Sequence, residues 1–391
     1  MEKRKELLIP DRTLMGPGPS DVAPSVLRAM ASPLLGHLDP AFLDIMNRIM
    51  EQLRQLFGTE NYMTLPMSGT GSAGMETVFV NSLEPGDKVI VCVNGVFGQR
   101  MADVASRCGA EVITVEAPWG EAIQTEQVEQ ALKTHAPVKA VAIVQAETST
   151  GVWQPLADIS AAAHQYDALF IVDAVTSLGG VPVEVDQHKI DICYSGTQKC
   201  ISAPPGLSPV TINERGLASL NQRKQKVQSW YLDLTMLQGY WGNERVYHHT
   251  APISMNYALY EAARLILSEE GLENCYQRHL KLGRAMQAGL QAMGLVLPVE
   301  ESIRLPQLTT VEIPEGVTDA DIRKQLLDRF GIEIGGGLGV FKGKLWRVGL
   351  MGSSCREKNV ISFLTALHLL LKEQGCMTDI KAGLDTFNSR L

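Results

Sequence analysis

Residues 168–177 read Ala-Leu-Phe-Ile-Val-Asp-Ala-Val-Thr-Ser, an apolar run that ends in the carboxylate of Asp173. A continuous apolar run of this length predicts a strand that is buried on both faces of a sheet. Similar predicted strands stand at 88–93, 140–144, 191–194 and 208–212. Helical patterns lie between them, for example at 124–135 and 158–166. This alternation predicts an α/β fold with a mostly parallel central sheet.

The pattern changes after about residue 255. The predicted elements there are a long helix over 254–293, strands at 309–313 and 345–348, and a final helix over 360–372. Such a mixture is typical of a smaller α+β domain. We therefore predict an N-terminal arm over 1–20, a large domain over 21–255 and a small C-terminal domain over 256–391.

Charge and composition narrow the function classes. The 391 residues include 35 Lys and Arg against 43 Asp and Glu, a net charge of −8, which argues against nucleic acid and anionic membranes as partners. No apolar stretch suits a leader or a membrane span. Seven scattered cysteines without a C-x-x-C pair predict reduced thiols and a cytoplasmic location. The final Ser389-Arg390-Leu391 resembles the S-K-L peroxisomal signal, which would matter only in a eukaryotic source.

A glycine-rich stretch, 67–74, reads Met-Ser-Gly-Thr-Gly-Ser-Ala-Gly and leads into a predicted helix over 75–81. Unhindered backbone N–H groups at a helix N-terminus form an anion site that suits phosphate. A plain tight turn would have the same composition, and the stretch lacks the G-K-[ST] ending of a nucleotide P-loop. Phe97 follows the strand at 88–93, where it could stack on a planar ring or simply belong to the core.

Asp173 and Lys199 each follow a predicted strand, and Lys199 lies in Tyr-Ser-Gly-Thr-Gln-Lys-Cys-Ile-Ser-Ala-Pro-Pro-Gly, residues 194–206. The carboxyl ends of parallel strands form the ligand-binding edge of an α/β sheet. A desolvated lysine can form a Schiff base, and a buried carboxylate requires a positive partner such as a protonated ring nitrogen. Singly, Asp173 could cap a turn and Lys199 could be a solvated loop lysine. Together with the phosphate-binding stretch, they predict a pyridoxal phosphate site.

The sequence resembles the alanine–glyoxylate and serine–pyruvate aminotransferase family over nearly its whole length. The blocks that carry the resemblance are 14–20, 84–87, 177–180, 198–200, 247–250, 335–339 and 347–352. The resemblance implies a fold-type I pyridoxal-phosphate transferase, with a large domain on a mostly parallel sheet and a smaller C-terminal α+β domain.

The resemblance also implies roles for individual residues. Lys199 would be the catalytic residue that bonds the cofactor, and Asp173 would pair with the pyridinium nitrogen. The other cofactor-binding residues that it implies are Thr70, Gly71, Ser72 and Gln198 at the phosphate, Phe97 stacked on the ring, Thr148 at the ring hydroxyl, and Val175. Tyr247 and Thr250 would reach the phosphate from a partner subunit, so a homodimer is expected. Arg347 would bind the substrate α-carboxylate, with Gly36 and His37 bordering the pocket.

Three positions depart from the animal members of the family. Phe97 stands where they carry Trp, Thr148 where they carry Ser, and Ser72 where they carry His. Each departure keeps an aromatic face or a hydrogen-bonding group, so cofactor binding is expected to persist with an altered affinity.

These parts predict transfer of the amino group from a small neutral amino acid, alanine or serine, to glyoxylate or pyruvate by a ping-pong mechanism. Only Arg347 is expected at a carboxylate, which disfavours aspartate and glutamate as donors. The alternative is an (S)-ureidoglycine–glyoxylate aminotransferase, although that branch carries Gln and Asn at the positions of His37 and Tyr247.

Two further classes fit the sequence less well. A cysteine desulfurase would need a nucleophilic cysteine on a mobile loop, and only Cys355 has such a setting. A non-catalytic regulatory module would carry an added DNA-binding segment, which the sequence lacks. The adjacent His248 and His249 have no third ligand at metal spacing, so we predict packed imidazoles and no metal.

Overall fold

The computed structural model describes residues 7–391, so the first six residues of the predicted N-terminal arm lie outside the described residues. The strands are β1 (Thr13–Leu14), β2 (Met63–Ser68), β3 (Lys88–Val93), β4 (Glu111–Glu116), β5 (Ala140–Val144), β6 (Ala146–Glu147), β7 (Val152–Trp153), β8 (Leu169–Asp173), β9 (Ile192–Tyr194), β10 (Leu207–Ile212), β11 (Leu308–Glu312), β12 (Ile332–Glu333), β13 (Gly335–Gly336) and β14 (Leu345–Gly349). The α-helices are α1 (Pro24–Met30), α2 (Pro40–Phe57), α3 (Gly71–Ser82), α4 (Val96–Arg107), α5 (Thr125–His135), α6 (Ala157–Gln165), α7 (Glu214–Asn221), α8 (Leu234–Trp241), α9 (Ile253–Arg264), α10 (Leu272–Ala292), α11 (Asp319–Phe330), α12 (Glu357–Glu373) and α13 (Ile380–Ser389).

The central sheet has seven strands in the order β2-β10-β9-β8-β5-β3-β4. Strands β9, β8, β5, β3 and β4 are parallel, whereas β10 is antiparallel to both of its neighbours. Every residue of β5 and β8 is buried, as expected for strands that are covered on both faces. The predicted α/β fold with a mostly parallel sheet is confirmed.

Alternate side chains of each strand enter two different cores. In β5, Val141 and Ile143 join a cluster with residues of α5 and α6. Ala140 and Ala142 join a second cluster with residues of α3 and α4. The helices on both faces fix the sheet rigidly, so the loops at its carboxyl edge start from well-defined positions.

The single helix predicted over 254–293 is wrong, because the chain forms two helices there. Helix α9 continues into a π-helical turn, Leu265–Glu270, and α10 begins after Gly271. Gly271 has φ +86°, a left-handed conformation that interrupts an α-helix. The domain boundary predicted at 255/256 falls within α9, and the division into domains stays a prediction.

A second sheet, β11-β14-β13, packs with α10, α11 and α12 in a separate C-terminal core. Strand β1 pairs in parallel with β12, which fastens the beginning of the described chain to this region. No structure was predicted for the tail beyond residue 375, yet α13 forms there and Phe387 is fully buried. Among residues 7–391, no helix is long and apolar enough to cross a membrane.

Candidate active site

A cavity of about 190 Å³ lies at the carboxyl edge of the central sheet. The residues predicted from the sequence that line it are Gly71, Ser72, Phe97, Thr148, Asp173, Val175, Gln198 and Lys199. A larger cleft, about 710 Å³, contains Lys88, Lys139 and Arg215 and none of the predicted site residues. The structure therefore brings together side chains from five separate segments of the chain in the smaller cavity.

Asp173 is the last residue of β8 and is 3% exposed. Its Oδ1 accepts a hydrogen bond from the Val175 N–H at 2.8 Å, and its Oδ2 accepts one from the Tyr194 hydroxyl at 2.8 Å. Burial raises the pKa of Asp173 to about 6, although both hydrogen bonds stabilise the carboxylate. A buried anion held in this way is suited to a cationic ligand atom.

Lys199 lies five residues beyond the end of β9 and is 9% exposed. Burial lowers the pKa of Lys199 to about 8. In mildly alkaline solution, a large fraction of the molecules therefore carry this side chain as a neutral amine. Its Nζ donates to the carbonyl of Pro17. Gly18 lies against the same side chain, since a Cβ there would be 2.6 Å from Nζ. No sequence pattern predicts this contact, because residues 17 and 18 are distant from Lys199 in the chain.

The amino end of α3 faces the cavity through Gly71 and Ser72. Its first N–H groups are available to an anion, as at other helix N-termini. A Cβ on Gly71 would lie 3.3 Å from a methyl group of Val175, so the Val175 side chain would have to move slightly to admit a larger residue. The buried Oε1 of Gln198 has no hydrogen-bond partner within residues 7–391. This end of the cavity therefore offers unused polar groups.

Glu147 is a fully buried carboxylate beside the cavity that the sequence analysis did not single out. Its Oε2 accepts from the N–H groups of Phe97 and Gly98, and its Oε1 accepts from Ser149. Burial raises the pKa of Glu147, while these donors oppose that rise. Glu147 thus holds Phe97 and the adjacent Thr148 against the cavity. An acidic residue three positions after the predicted strand at 140–144 was the signal available in the sequence.

Arg347 lies in β14 and is 7% exposed. Its Nε donates to the Gly336 carbonyl at 2.7 Å, and its Nη1 lies 3.4 Å from the Thr148 carbonyl. Burial lowers the pKa of Arg347. These contacts aim the guanidinium at the edge of the cavity where Thr148 lies, and a fork of donors there can bind a carboxylate.

Arg100 is a second cation at this cavity, and the sequence analysis assigned it no role. Its guanidinium carbon lies 5.0 Å from the centroid of the Phe97 ring, and the side chain is exposed. One helical turn of α4 separates the two residues, so the pattern i, i+3 was the available signal. Arg100 therefore places another guanidinium at the rim of the cavity, and the expectation that Arg347 binds the substrate carboxylate stays a prediction.

The other predicted residues lie outside this cavity. Thr70 is exposed at the start of α3, and Gly36, Tyr247 and Thr250 are also exposed. His37 is half-buried, with its ring centroid 4.9 Å from that of Tyr247. Within one chain, none of these residues lines the cavity.

His248 and His249 are packed against other rings. His248 stacks on Trp230 with centroids 4.3 Å apart, and its Nδ1 lies 2.8 Å from Nδ1 of His249. Burial lowers the pKa of His249 to about 4, with a further contribution from the neighbouring His248. Residues 7–391 contain no cluster of three or more side chains with metal-ligand geometry.

Cys355 is 1% exposed, and burial raises the pKa of its thiol to about 12. Such a thiol has little nucleophilic thiolate. Cys355 therefore does not provide the nucleophilic thiolate that a cysteine desulfurase would require.

The residues of the cavity fit pyridoxal phosphate. Asp173 supplies an anion for the ring nitrogen, Lys199 supplies an amine for the aldehyde, and Phe97 supplies an aromatic face. The N–H groups at the amino end of α3 suit a phosphate, whereas the unpartnered Oε1 of Gln198 is an acceptor that would need a donor.

Comparisons with known proteins agree with this chemistry. The family model Aminotransferase class-V matches residues 22–357. The (S)-ureidoglycine–glyoxylate transaminase of Bacillus subtilis is 42% identical over 100% of this chain and 98% of its own. The alanine–glyoxylate aminotransferase of Mus musculus is 42% identical over 94% of this chain and 89% of its own.

Two solved structures extend the match to the fold. An alanine–glyoxylate aminotransferase from Nostoc sp. is 48% identical, with a TM-score of 0.92 over 94% of this chain and 97% of that one. The ureidoglycine–glyoxylate aminotransferase from Bacillus subtilis is 44% identical, with a TM-score of 0.95 over 98% and 100%. The expected fold-type I architecture is confirmed, and the chain belongs to the class-V aminotransferase family.

Proposed function

We propose that this aminotransferase uses pyridoxal phosphate to move the amino group of alanine or serine to glyoxylate or pyruvate by a ping-pong mechanism. The class-V family and the solved neighbours imply this cofactor. The observation that carries the proposal is the convergence of Asp173 and Lys199 on one cavity, with Arg347 at its edge.

When bound, pyridoxal phosphate would supply an electron sink conjugated to the substrate Cα. The Asp173 carboxylate, fixed by Val175 and Tyr194, would keep the ring nitrogen protonated. Arg347 would bind the α-carboxylate and orient the Cα–H bond towards Lys199. Lys199 Nζ would accept that proton and deliver it to the cofactor carbon that bears the aldehyde, a role suited to an amine whose pKa is lowered to about 8.

The amino donor distinguishes the two branches among the relatives. The alternative, transfer from (S)-ureidoglycine to glyoxylate, is supported by the Bacillus subtilis relative as strongly as the main proposal is by the Mus musculus relative. The two positions at which this chain departs from that branch, His37 and Tyr247, are neighbours with ring centroids 4.9 Å apart. The two differences from the ureidoglycine branch, at His37 and Tyr247, therefore lie side by side in the structure. This supports alanine or serine as the donor.

The test is a donor panel with the purified protein. Alanine, serine, ureidoglycine, aspartate and glutamate would each be assayed against glyoxylate and pyruvate. We expect kcat/KM to be highest for alanine or serine with glyoxylate. A clear preference for ureidoglycine would establish the alternative. A colourless protein, or one that borohydride does not label at Lys199, would refute the cofactor proposal.

We also propose that the functional unit is a homodimer. Exposed apolar side chains adjacent to His37, Tyr247 and His248 are Leu38, Val246 and Trp230. A patch of this kind on a monomer commonly marks an interface. A second copy seated on it would explain why Tyr247 and Thr250 lie outside the cavity of their own chain.

We also propose that the protein is located in the cytoplasm. All seven cysteines are free thiols, and six of them are buried, as suits a reducing compartment. Leu391, the last residue of the triplet that resembles a peroxisomal signal, packs partly buried against the C-terminal core. A fluorescent fusion imaged in the source cell would test the compartment.

A further inference from the structure

We propose that the hydroxyls of Ser20 and Ser202 form a hydrogen-bond relay that positions Lys199 for proton transfer, an inference that rests on the proposed function. The relay consists of the Ser353 N–H, the Ser202 hydroxyl, the Ser20 hydroxyl and the Lys199 carbonyl. None of these groups touches the cavity, so the two serines would be positioning residues.

The hydrogen bonds of the relay all donate in one direction, from Ser353 towards Lys199. Ser20 and Ser202 are 4% and 5% exposed, and their Oγ atoms lie 3.0 Å apart. Ser20 Oγ donates to the Lys199 carbonyl at 2.7 Å, and the Ser353 N–H donates to Ser202 Oγ at 2.8 Å. Because the only hydrogen on Ser20 Oγ is directed at Lys199, the Ser202 hydroxyl must donate to Ser20. Four groups from three parts of the chain are thereby linked in series.

The backbone of Ser202 is unusual for a serine. Its φ is +57°, in the left-handed region that non-glycine residues rarely adopt. Glycine would adopt this conformation without strain. The serine therefore contributes its hydroxyl against the local backbone preference, and such residues cluster at functional sites.

The C-terminal part of the chain fixes the far end of the relay. Gly352 approaches Ser202 so closely that a Cβ would lie 1.8 Å from Ser202 Oγ. The Gly352 N–H donates to Nε2 of His279 at 2.8 Å, and Nδ1 of His279 lies 2.7 Å from the Cys275 carbonyl. Helix α10 thus holds the turn that presents the Ser353 N–H.

The relay acts on the main chain of the lysine. The Lys199 carbonyl also accepts from the Ser202 N–H at 3.0 Å, and the Ser20 N–H donates to the Gln198 carbonyl at 2.9 Å. These bonds fix the peptide from which the lysine side chain departs. Since Nζ reaches the cavity through four methylene groups, a small rotation of this peptide would move the amine by a larger distance. A misplacement of about 1 Å can cost on the order of 10²-fold in rate.

Ser202→Gly tests positioning with little disturbance of the backbone, because glycine keeps the positive φ while the hydroxyl is lost together with its Cβ. We expect the melting temperature to change little, because relief of backbone strain offsets the lost hydrogen bonds to Ser20 and Ser353. The donor KM should stay level, and kcat should fall about tenfold through misplacement of the amine. The primary isotope effect with α-deuterated alanine should increase as proton transfer becomes slower. The midpoint of the absorbance titration of the resting holoenzyme should also shift, because Nζ meets its charged neighbours at altered distances.

Two more variants sharpen the test. Ser20→Ala should lower kcat to the same extent, and the double variant should lose little more, because either change interrupts the same relay. Ser160→Ala is the matched control. Ser160 lies in α6 and is 2% exposed, and its Oγ donates to the His188 carbonyl at 2.6 Å. It should lower the melting temperature and leave kcat and the titration midpoint unchanged.

The outcomes distinguish the relay from the function on which it rests. A wild-type protein without transaminase activity would overturn both. An active wild type whose Ser202→Gly variant keeps the same kcat, isotope effect and titration midpoint would overturn the relay alone. Additive losses in the double variant would overturn the serial link between the two hydroxyls.

Discussion

Gly18 and Lys199 lie so close that a Cβ on Gly18 would be 2.6 Å from Nζ, 2.7 Å from Cδ and 2.9 Å from Cε of the lysine. Although the two residues are far apart in sequence, they meet because the Met15 N–H donates to the Glu333 carbonyl and the Ser20 N–H donates to the Gln198 carbonyl, which holds residues 15–20 beside the lysine. The shape of the site at Lys199 therefore depends on a glycine near the beginning of the chain.

Gly18→Ala should displace the whole lysine side chain. We expect kcat to fall about 10- to 100-fold, since misplacement by about 1 Å has effects of this size. Gly86→Ala is the matched control, because Gly86 also has positive φ (+87°) but nothing within 4 Å of its added Cβ. Both variants should lose about 1 kcal/mol of stability through backbone strain, measured by denaturant unfolding. Wild-type kcat in Gly18→Ala would mean that residue 18 does not constrain the lysine.

Arg347→Ala should mainly raise the KM for the amino donor, because the lost contact to the α-carboxylate exists in the ground and transition states alike. A charge-assisted hydrogen bond contributes about 1.5–3 kcal/mol, so an increase of about 10- to 100-fold is expected. Arg329→Ala removes an exposed arginine that pairs with Glu373 and serves as the control. Steady-state kinetics with alanine would decide, and a fall in kcat at unchanged KM would contradict the assigned role.

Asp173 should make the stability of the cofactor-free protein depend on pH. Its folded-state pKa, about 6, lies above its ordinary value of 3.8, so the folded chain binds the proton more tightly than the unfolded chain. This stabilisation is complete below pH 3.8 and is lost as the pH rises through about 6. Relative to Asp173→Asn, the wild-type free energy of unfolding should fall by on the order of 3 kcal/mol across this window. If the difference in unfolding free energy between the two proteins does not change with pH, the pKa of the buried Asp173 carboxylate is not raised.

A mixed dimer should recover activity from two inactive parents if each site is shared between subunits. One parent would be Lys199→Ala and the other a Tyr247→Ala, Thr250→Ala double variant. In the mixed dimer, one of the two sites combines an intact lysine with the partner's intact Tyr247 and Thr250. Refolding the parents together should therefore restore up to half of the wild-type turnover per dimer, whereas parents refolded separately should remain inactive. No recovery in a confirmed mixed dimer would refute the shared site.

The sheet strands were predictable because they are buried on both faces. The strand predictions at 88–93 and 140–144 coincide with β3 and β5, and the strand ending at Asp173 was placed within one residue. Such strands are continuous apolar runs, which stand out from a single sequence. The break at Gly271 was not predicted because it lies inside a continuous helical pattern, and helix α13 was not predicted because it depends on burial of Phe387 in the C-terminal core.

The sequence by itself determined the chemistry at the ends of the strands. Asp173 and Lys199 follow apolar runs, and parallel strands bring their carboxyl ends to one edge, so a shared site followed from topology alone. Tertiary structure decided which distant groups complete that site. The approach of Gly18 to Lys199, the buried Glu147 behind Phe97 and the pairing of Ser20 with Ser202 join segments that are far apart in the chain. Such contacts are set by how the elements pack, and no local pattern of residues encodes them.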